Sequence, residues 1–199
     1  MAIDKTAVIG FPVDHSLSPI IHNHWIKELA LDIKSYEKLN VDPNMFEEQM
    51  NNLKAKGFGG INVTVPLKEL AFNISDETSN VSKKLRSANT LTLNSDKINA
   101  DNTDAVGFIN SLDKKTIEEN ITNKKTLVLG AGGSARSVVH ALNELGSQVR
   151  LFNRTPEKAA ILLNDLSINS SPVSTEELDD YAYSSSFIVN TTSLGHLEG

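Results

Sequence analysis

Lys124-Lys125-Thr126-Leu127-Val128-Leu129-Gly130-Ala131-Gly132-Gly133-Ser134-Ala135-Arg136 is the stretch that decides the fold. Thr126–Leu129 is a short, apolar, partly β-branched run, as a buried parallel strand should be. It ends at Gly130, and Gly130 to Ala135 reads as G-x-G-x-x-A, a permitted form of the dinucleotide fingerprint. Gly130 allows a tight turn off the strand. Gly132 lets backbone approach a pyrophosphate, and Ala135 lets the next helix lie close to the strand. Apolar residues then recur at helical spacing (Ala135, Val138, Val139, Leu142, Leu145), so a helix N-terminus with unpaired N–H groups begins at the glycines. A second strand, Gln148–Phe152, follows Gly146 and completes a β-α-β unit. The bland alternative is a glycine turn that holds no ligand.

Composition narrows the class. The chain has 199 residues, 39% of them hydrophobic, which is enough for one large or two small domains. It has no cysteine, which excludes disulfides, thiolate catalysis and cysteine-based zinc sites. A net charge of −6 with no basic run argues against nucleic acid or a membrane surface as partner. No window approaches a membrane span, and Met1 to Gly10 lacks a secretory apolar region, so the cytoplasm is the expected compartment. Glu176-Glu177-Leu178-Asp179-Asp180 reads as a solvated surface segment.

Lys5–Gly10 reads as the first strand, and the loop after it carries His15, Ser16, Leu17 and Ser18. Ser18 can cap a helix that has Pro19 at its first position and runs to about Leu29. Ser16 has no such structural duty and is a candidate for holding a polyol or carboxylate. His15, His22 and His24 lack a metal-ligand grouping, because His22 and His24 point to different helix faces; no metal is expected. Lys34–Val41 is a second strand, and Pro43–Lys56 an amphipathic helix capped by Asp42 and stopped by Gly57. Ile61, Val63 and Val65 alternate with Asn62 and Thr64, which puts two polar side chains on one face at a strand end. Lys68 follows Pro66 and Leu67. Spacing alone favours an exposed lysine at a helix start over an amine tuned for proton transfer.

Thr78–Ser87 is expected to be a helix, and Ala88–Leu93 and Lys97–Ala100 a hairpin through Asn94-Ser95-Asp96. Asn89 opens its first strand. Asp104 lies between a strand end and a helix, as an N-cap or as a partner for a lysine. Ser111–Asn123 is polar and reads as the linker into the glycine loop. Beyond the second strand of the β-α-β unit stand Asn153, Arg154 and Thr155, with Lys158 one turn on. An NAD site would favour an acidic residue here, whereas these groups suit the 2′-phosphate of NADP. Phe187–Asn190 reads as another buried strand, followed by the hydroxyl-rich Thr191, Thr192 and Ser193.

Seven of these segments, in order and in spacing, resemble the shikimate dehydrogenase family. They are the Ser16-Leu17-Ser18 loop, Asn62 to Lys68, Ala88-Asn89-Thr90, Asn102-Thr103-Asp104, Gly130 to Ala135, Asn153-Arg154-Thr155 and Asn190 to Ser193. The resemblance implies reversible reduction of 3-dehydroshikimate to shikimate with NADPH, in the pathway to chorismate and the aromatic amino acids. It implies that Ser16 and Ser18 hold the substrate carboxylate, while Asn62, Thr64, Asn89 and Asp104 hold its ring hydroxyls. It makes Lys68 the acid/base, with Asp104 its partner, against the odds that spacing alone gives. Cofactor contacts are implied for Gly130, Ala131, Gly132, Gly133, Ser134, Ala135, Asn153, Arg154, Thr155, Lys158, Thr192 and Ser193.

The expected fold is α/β in two domains. Residues 1–103 form a substrate-binding domain and 104–199 a Rossmann-type NADP domain, with the active site in a cleft whose closure excludes water. Two departures from the family pattern stand out. Ala105 replaces the family's usual glycine, and the family's chains continue for several tens of residues past Gly199, so a fragment is expected. The rival readings are a quinate/shikimate dehydrogenase of relaxed specificity and a non-catalytic binding module. Oligomeric state is not legible here.

Overall fold

The computed structural model describes residues 5–94, 96–192 and 194. Of the sequence features named above, Met1 to Asp4, the hairpin's Ser95, the loop residue Ser193 and Gly199 lie outside the described residues. The chain packs as two compact units, Met1–Thr103 and Asp104–Gly199.

The first unit is built on β1 (Lys5–Gly10), α1 (Ser18–Glu28), β2 (Ser35–Asn40), α2 (Phe46–Ala55), β3 (Phe58–Val63), α3 (Lys68–Asn73), β4 (Glu77–Thr78), α4 (Asn80–Leu85), β5 (Thr90–Leu93) and β6 (Ile98–Asp101). Its six strands pair in the order β2-β1-β3-β5-β6-β4. β1 runs parallel to β2 and β3, whereas β5 runs antiparallel to both β3 and β6. Alternation in β1 explains why it sits inside: Ala7 and Ile9 enter the main core, and Val8 the opposite face with Val13 and Tyr36. Phe46, Met50 and Leu53 place the buried stripe of α2 at helical spacing over the main core. A one-turn 3-10 helix, Pro43–Met45, leads into α2, and Asp42 Oδ1 caps it by accepting from Asn44 N at 2.8 Å.

The second unit begins with α5 (Asp104–Asn110) and α6 (Lys114–Thr116), which runs on through a π turn, Ile117–Ile121. Then come β7 (Lys125–Leu129), α7 (Gly133–Glu144), β8 (Gln148–Phe152), α8 (Pro156–Asp165), α9 (Leu178–Ser184) and β9 (Phe187–Asn190). The three strands are parallel in the order β8-β7-β9, so their C-terminal ends share one edge. Leu127, Val128, Val139, Leu142 and Leu151 are buried to within 1%. The acidic segment before and within α9 is largely exposed, as charge predicts.

Four expectations need correction. The helix over Thr78–Ser87 is shorter, because Glu77 and Thr78 pair with Asn99 and Ala100 as a two-residue strand. Ser79 then caps α4, accepting from Ser82 N at 3.1 Å, and Arg86 ends it at φ 47°. The polar segment Ser111–Asn123 is no linker: Asp113 caps α6, and Ile121 is fully buried. Among the described residues β9 pairs with β7 alone, and Ile188 is 47% exposed where a buried strand was expected. Val65 lies beyond the end of β3 and is 56% exposed, outside the alternation that Ile61 and Val63 obey. Among the described residues no helix is long and apolar enough to cross a membrane.

Packing in the second unit includes one ionic tie, Arg136 Nη1 to Asp165 Oδ2 at 2.9 Å, with both side chains about nine-tenths buried. It joins α7 to α8. Removing one member strands the other charge away from water, which costs about 3–5 kcal/mol. Arg136→Met should lower the unfolding free energy by that amount in equilibrium urea unfolding, and Arg136→Met/Asp165→Leu should recover much of it.

Candidate active site

Strand polarity gathers the candidate residues of the first unit at one end of its sheet. β1 and β3 are parallel, so the loops after Gly10 and Val63 leave from the same edge. β5 is antiparallel to β3, so its start, at Asn89, reaches that edge, and β6 returns there at Asp101. Thr64 N donates to Ile9 O at 2.8 Å, Phe11 N to Val65 O at 3.1 Å, and Val63 N to Asn89 O at 2.8 Å. The loops touch so closely that a Cβ on Gly10 would stand 2.5 Å from Thr64 Cγ2.

Ser16, Ser18, Asn62, Thr64 and Asn89 are therefore brought to one edge, each half-buried. Lys68 joins them at the start of α3, where its carbonyl accepts from Ala88 N at 2.9 Å. Its side chain is only 8% exposed, contrary to the exposed lysine that spacing favours. The turn Thr64–Leu67, closed by Leu67 N to Thr64 O at 2.9 Å, tucks it in. Two local duties also differ from expectation. Ser18 is the first residue of α1 and caps nothing, while Ser16 Oγ accepts from Ser18 N at 3.3 Å. Ser16 thus has a structural role after all.

Asn89 is held by the loop after β6: Thr103 N donates to its Oδ1 at 3.1 Å, and its Nδ2 donates to Thr103 Oγ1 at 2.9 Å. The buried Asn102 instead serves the fold, donating to Ser87 O at 3.0 Å. The residue that sequence reasoning missed is Tyr36. It is 5% exposed on β2, and its hydroxyl donates to Asn62 Oδ1 at 2.6 Å. Burial pushes its phenol up to about 12, with a Ser18 hydrogen bond opposing. His22 stacks on the Tyr36 ring at 4.1 Å and 5°, and burial lowers its pKa below the usual histidine value. An aromatic at an otherwise polar strand position was the only available signal.

The candidate residues of the second unit meet at the shared edge of its parallel strands. Gly130 is at φ 104°, in the left-handed region, and a Cβ there would stand 2.7 Å from Thr191 Oγ1. Thr191 closes that contact, with N and Oγ1 both donating to Leu129 O at 2.8 and 2.7 Å. Gly132 is exposed at the head of α7, and a Cβ there would meet nothing within 4 Å. The space before the first turn is therefore open to a phosphate, where the amides of Gly133, Ser134 and Ala135 have no intrahelical acceptor. Ala131 lies between the two glycines, and Ala135 is 1% exposed, as its close-packing role requires.

Beyond β8, Asn153 Nδ2 donates to Thr155 O at 2.9 Å and closes a turn that leaves Arg154 exposed. Lys158 is exposed on the first turn of α8. Asn190 shapes the third loop, accepting from Thr192 N at 2.9 Å and from Thr192 Oγ1 at 2.7 Å. Asp104 opens α5 in this unit, half-buried. An open helix N-terminus flanked by two cations fits a phosphorylated dinucleotide.

Comparison with known proteins agrees with this geometry. Residues 8–91 match the family model for the shikimate dehydrogenase substrate binding domain, and residues 111–197 that for shikimate/quinate 5-dehydrogenase. The NADP(+) shikimate dehydrogenase of Methylocella silvestris is 37% identical over 98% of this chain and 69% of its own. Shikimate dehydrogenase of Aquifex aeolicus superposes with a TM-score of 0.83 at 37% identity, over 96% of this chain and 70% of that one. The Thermus thermophilus enzyme, solved in complex with NADP(H) and shikimate, gives 0.77 at 32%, over 95% of this chain and 68% of that one. The chain thus spans about two thirds of the length of these relatives. It belongs to the shikimate dehydrogenase family.

Proposed function

We propose that this chain carries the machinery for NADPH-dependent reduction of 3-dehydroshikimate to shikimate, with the substrate on residues 1–103 and Asp104, and the cofactor on the rest of residues 104–199. The observation that carries the reading is Lys68, a lysine held 8% exposed among amides and hydroxyls at a sheet edge. Lysine is seldom buried at a sheet edge unless it is paired or serves a site, and here it stands with the polar side chains gathered at that edge.

The bound nicotinamide supplies the hydride. Hydride arriving at the C3 carbonyl leaves an alkoxide, which needs a proton and a nearby positive charge. The Lys68 ammonium supplies both, and takes the proton back in the reverse direction. Ser16 and Ser18 present hydroxyls to the substrate carboxylate. Asn62, Thr64 and Asn89 align its ring hydroxyls, and Asp104 accepts from one of them. Gly130 to Ala135 cradle the pyrophosphate, with Thr192 adding to the cofactor contacts. Asn153, Arg154, Thr155 and Lys158 receive the 2′-phosphate. Arginine is the stronger partner there, because its planar fork matches phosphate oxygens.

Relaxed specificity toward quinate is favoured by the description of the family model over residues 111–197. Loss of NADPH absorbance with 3-dehydroshikimate, and oxidation of quinate beside shikimate, separate these readings.

Two outcomes are expected. Lys68→Ala should lower kcat by about 10²- to 10⁴-fold with little change in the shikimate KM; a fully active variant would sink the assignment. Arg154→Ala should raise the NADPH KM by about tenfold, as loss of a charge-assisted hydrogen bond does, and leave that for NADH nearly unchanged. An equal effect on both cofactors would refute a 2′-phosphate role.

A further inference from the structure

A chain of hydrogen bonds crosses four strands of the first unit, and its polarity can be read from one obligate donor. The backbone N–H of Thr103 can only donate, so the Asn89 atom 3.1 Å from it is the carbonyl Oδ1. Thr90 Oγ1, 2.9 Å from that same oxygen, must then donate to it. With its proton committed, Thr90 Oγ1 is an acceptor toward Asn62, whose Nδ2 faces it at 3.5 Å. The Asn62 carbonyl oxygen is left pointing at Tyr36, whose hydroxyl donates across 2.6 Å. The Ser18 hydroxyl bonds the same phenol. Tyr36 is thereby tied to two candidate substrate residues that lie on different elements. The ring itself has little freedom, being buried and stacked on His22.

We propose that Tyr36 is a positioning residue for substrate specificity: its hydroxyl occupies the Asn62 carbonyl, so that Asn62 offers substrate its amide N–H group and not its oxygen. The proposal rests on the shikimate reading above and deepens it. A ring oxygen of the substrate then meets a donor at Asn62 in every molecule of the enzyme. Without the phenol, only the long 3.5 Å contact with Thr90 Oγ1 orients the amide, so it can rotate by half a turn in part of the molecules, and the site presents a mixture of donor and acceptor. The cost falls on substrate binding, because the proton transfer belongs to Lys68.

Tyr36→Phe keeps the ring, its burial and the His22 stack, and removes only the hydroxyl. In the full chain it should raise the shikimate KM about 5- to 10-fold, as loss of one good hydrogen bond does. The NADPH KM and the thermal midpoint should hold. The same substitution in an Asn62→Ala background should add nothing, since the two act as one unit. Losses that multiply, or a rise in NADPH KM to match, would overturn the proposal. A second readout needs no substrate: the Asn62 side-chain amide signal in ¹⁵N–¹H spectra, identified by its absence in Asn62→Ala, should shift in Tyr36→Phe. A signal that does not move refutes the Tyr36–Asn62 coupling whatever the chain binds. A signal that moves in a chain with no affinity for shikimate refutes the substrate role, and points to failure of the functional reading instead.

Discussion

The antiparallel pairing of β5 against the parallel pair β1–β3 is the constraint on which the first unit's chemistry depends. Parallel strands alone would deliver only strand C-termini to the working edge. Reversing β5 brings a strand beginning there too, so Thr90 stands opposite Asn62, 28 positions away in the chain, and Asn89 meets Val63. The contact is backbone to backbone, Val63 N to Asn89 O at 2.8 Å. Its geometry is therefore set by the ladder and not by side-chain choice. A slip of one residue would turn Asn62 into the core and Ile61 out of it, and burial of Ile61 at 1% exposure forbids that. Hydrophobic register and polar site are thus fixed by the same pairing.

The second unit reaches a comparable result by a simpler route. Three parallel strands share one edge, and the tight turn at Gly130 starts α7 with its unpaired amides facing outward. Thr191 and Asn190 hold the neighbouring loop against the glycine turn through hydrogen bonds to Leu129 O and within the loop. A side chain at Gly130 would break that approach, so the glycine is required on two counts, its φ of 104° and the 2.7 Å clearance. Arg136 lies in the first turn of α7, but its side chain is engaged by Asp165 of α8 and serves packing of the two helices. The phosphate-facing end of α7 is thereby kept for a ligand.

Much of the site was legible because its residues sit at strand ends beside turn-forming neighbours, where local pattern is strongest. Asn62 and Thr64 were visible through alternation, and the glycine loop through its spacing. Lys68 was misjudged by spacing alone, because a lysine at a helix start looks the same whether the preceding turn tucks it in or leaves it in water. Tyr36 left no such mark. Its partner Asn62 is 26 positions away, and only sheet order makes β2 and β3 near neighbours across β1.

By itself, then, the sequence determined the β-α-β unit around Gly130, most strands and helices to within a residue or two, and the kinds of side chain placed at their ends. These are properties of short windows, where periodicity and turn chemistry act between near neighbours. The tertiary structure alone decided the two-residue strand at Glu77, the burial of Ile121, the pairing of β9 with β7 and the depth of Lys68. It also decided which way the amides of Asn62 and Asn89 face. Each of these depends on a partner far along the chain, and local sequence holds no information about distant partners until the strands have paired.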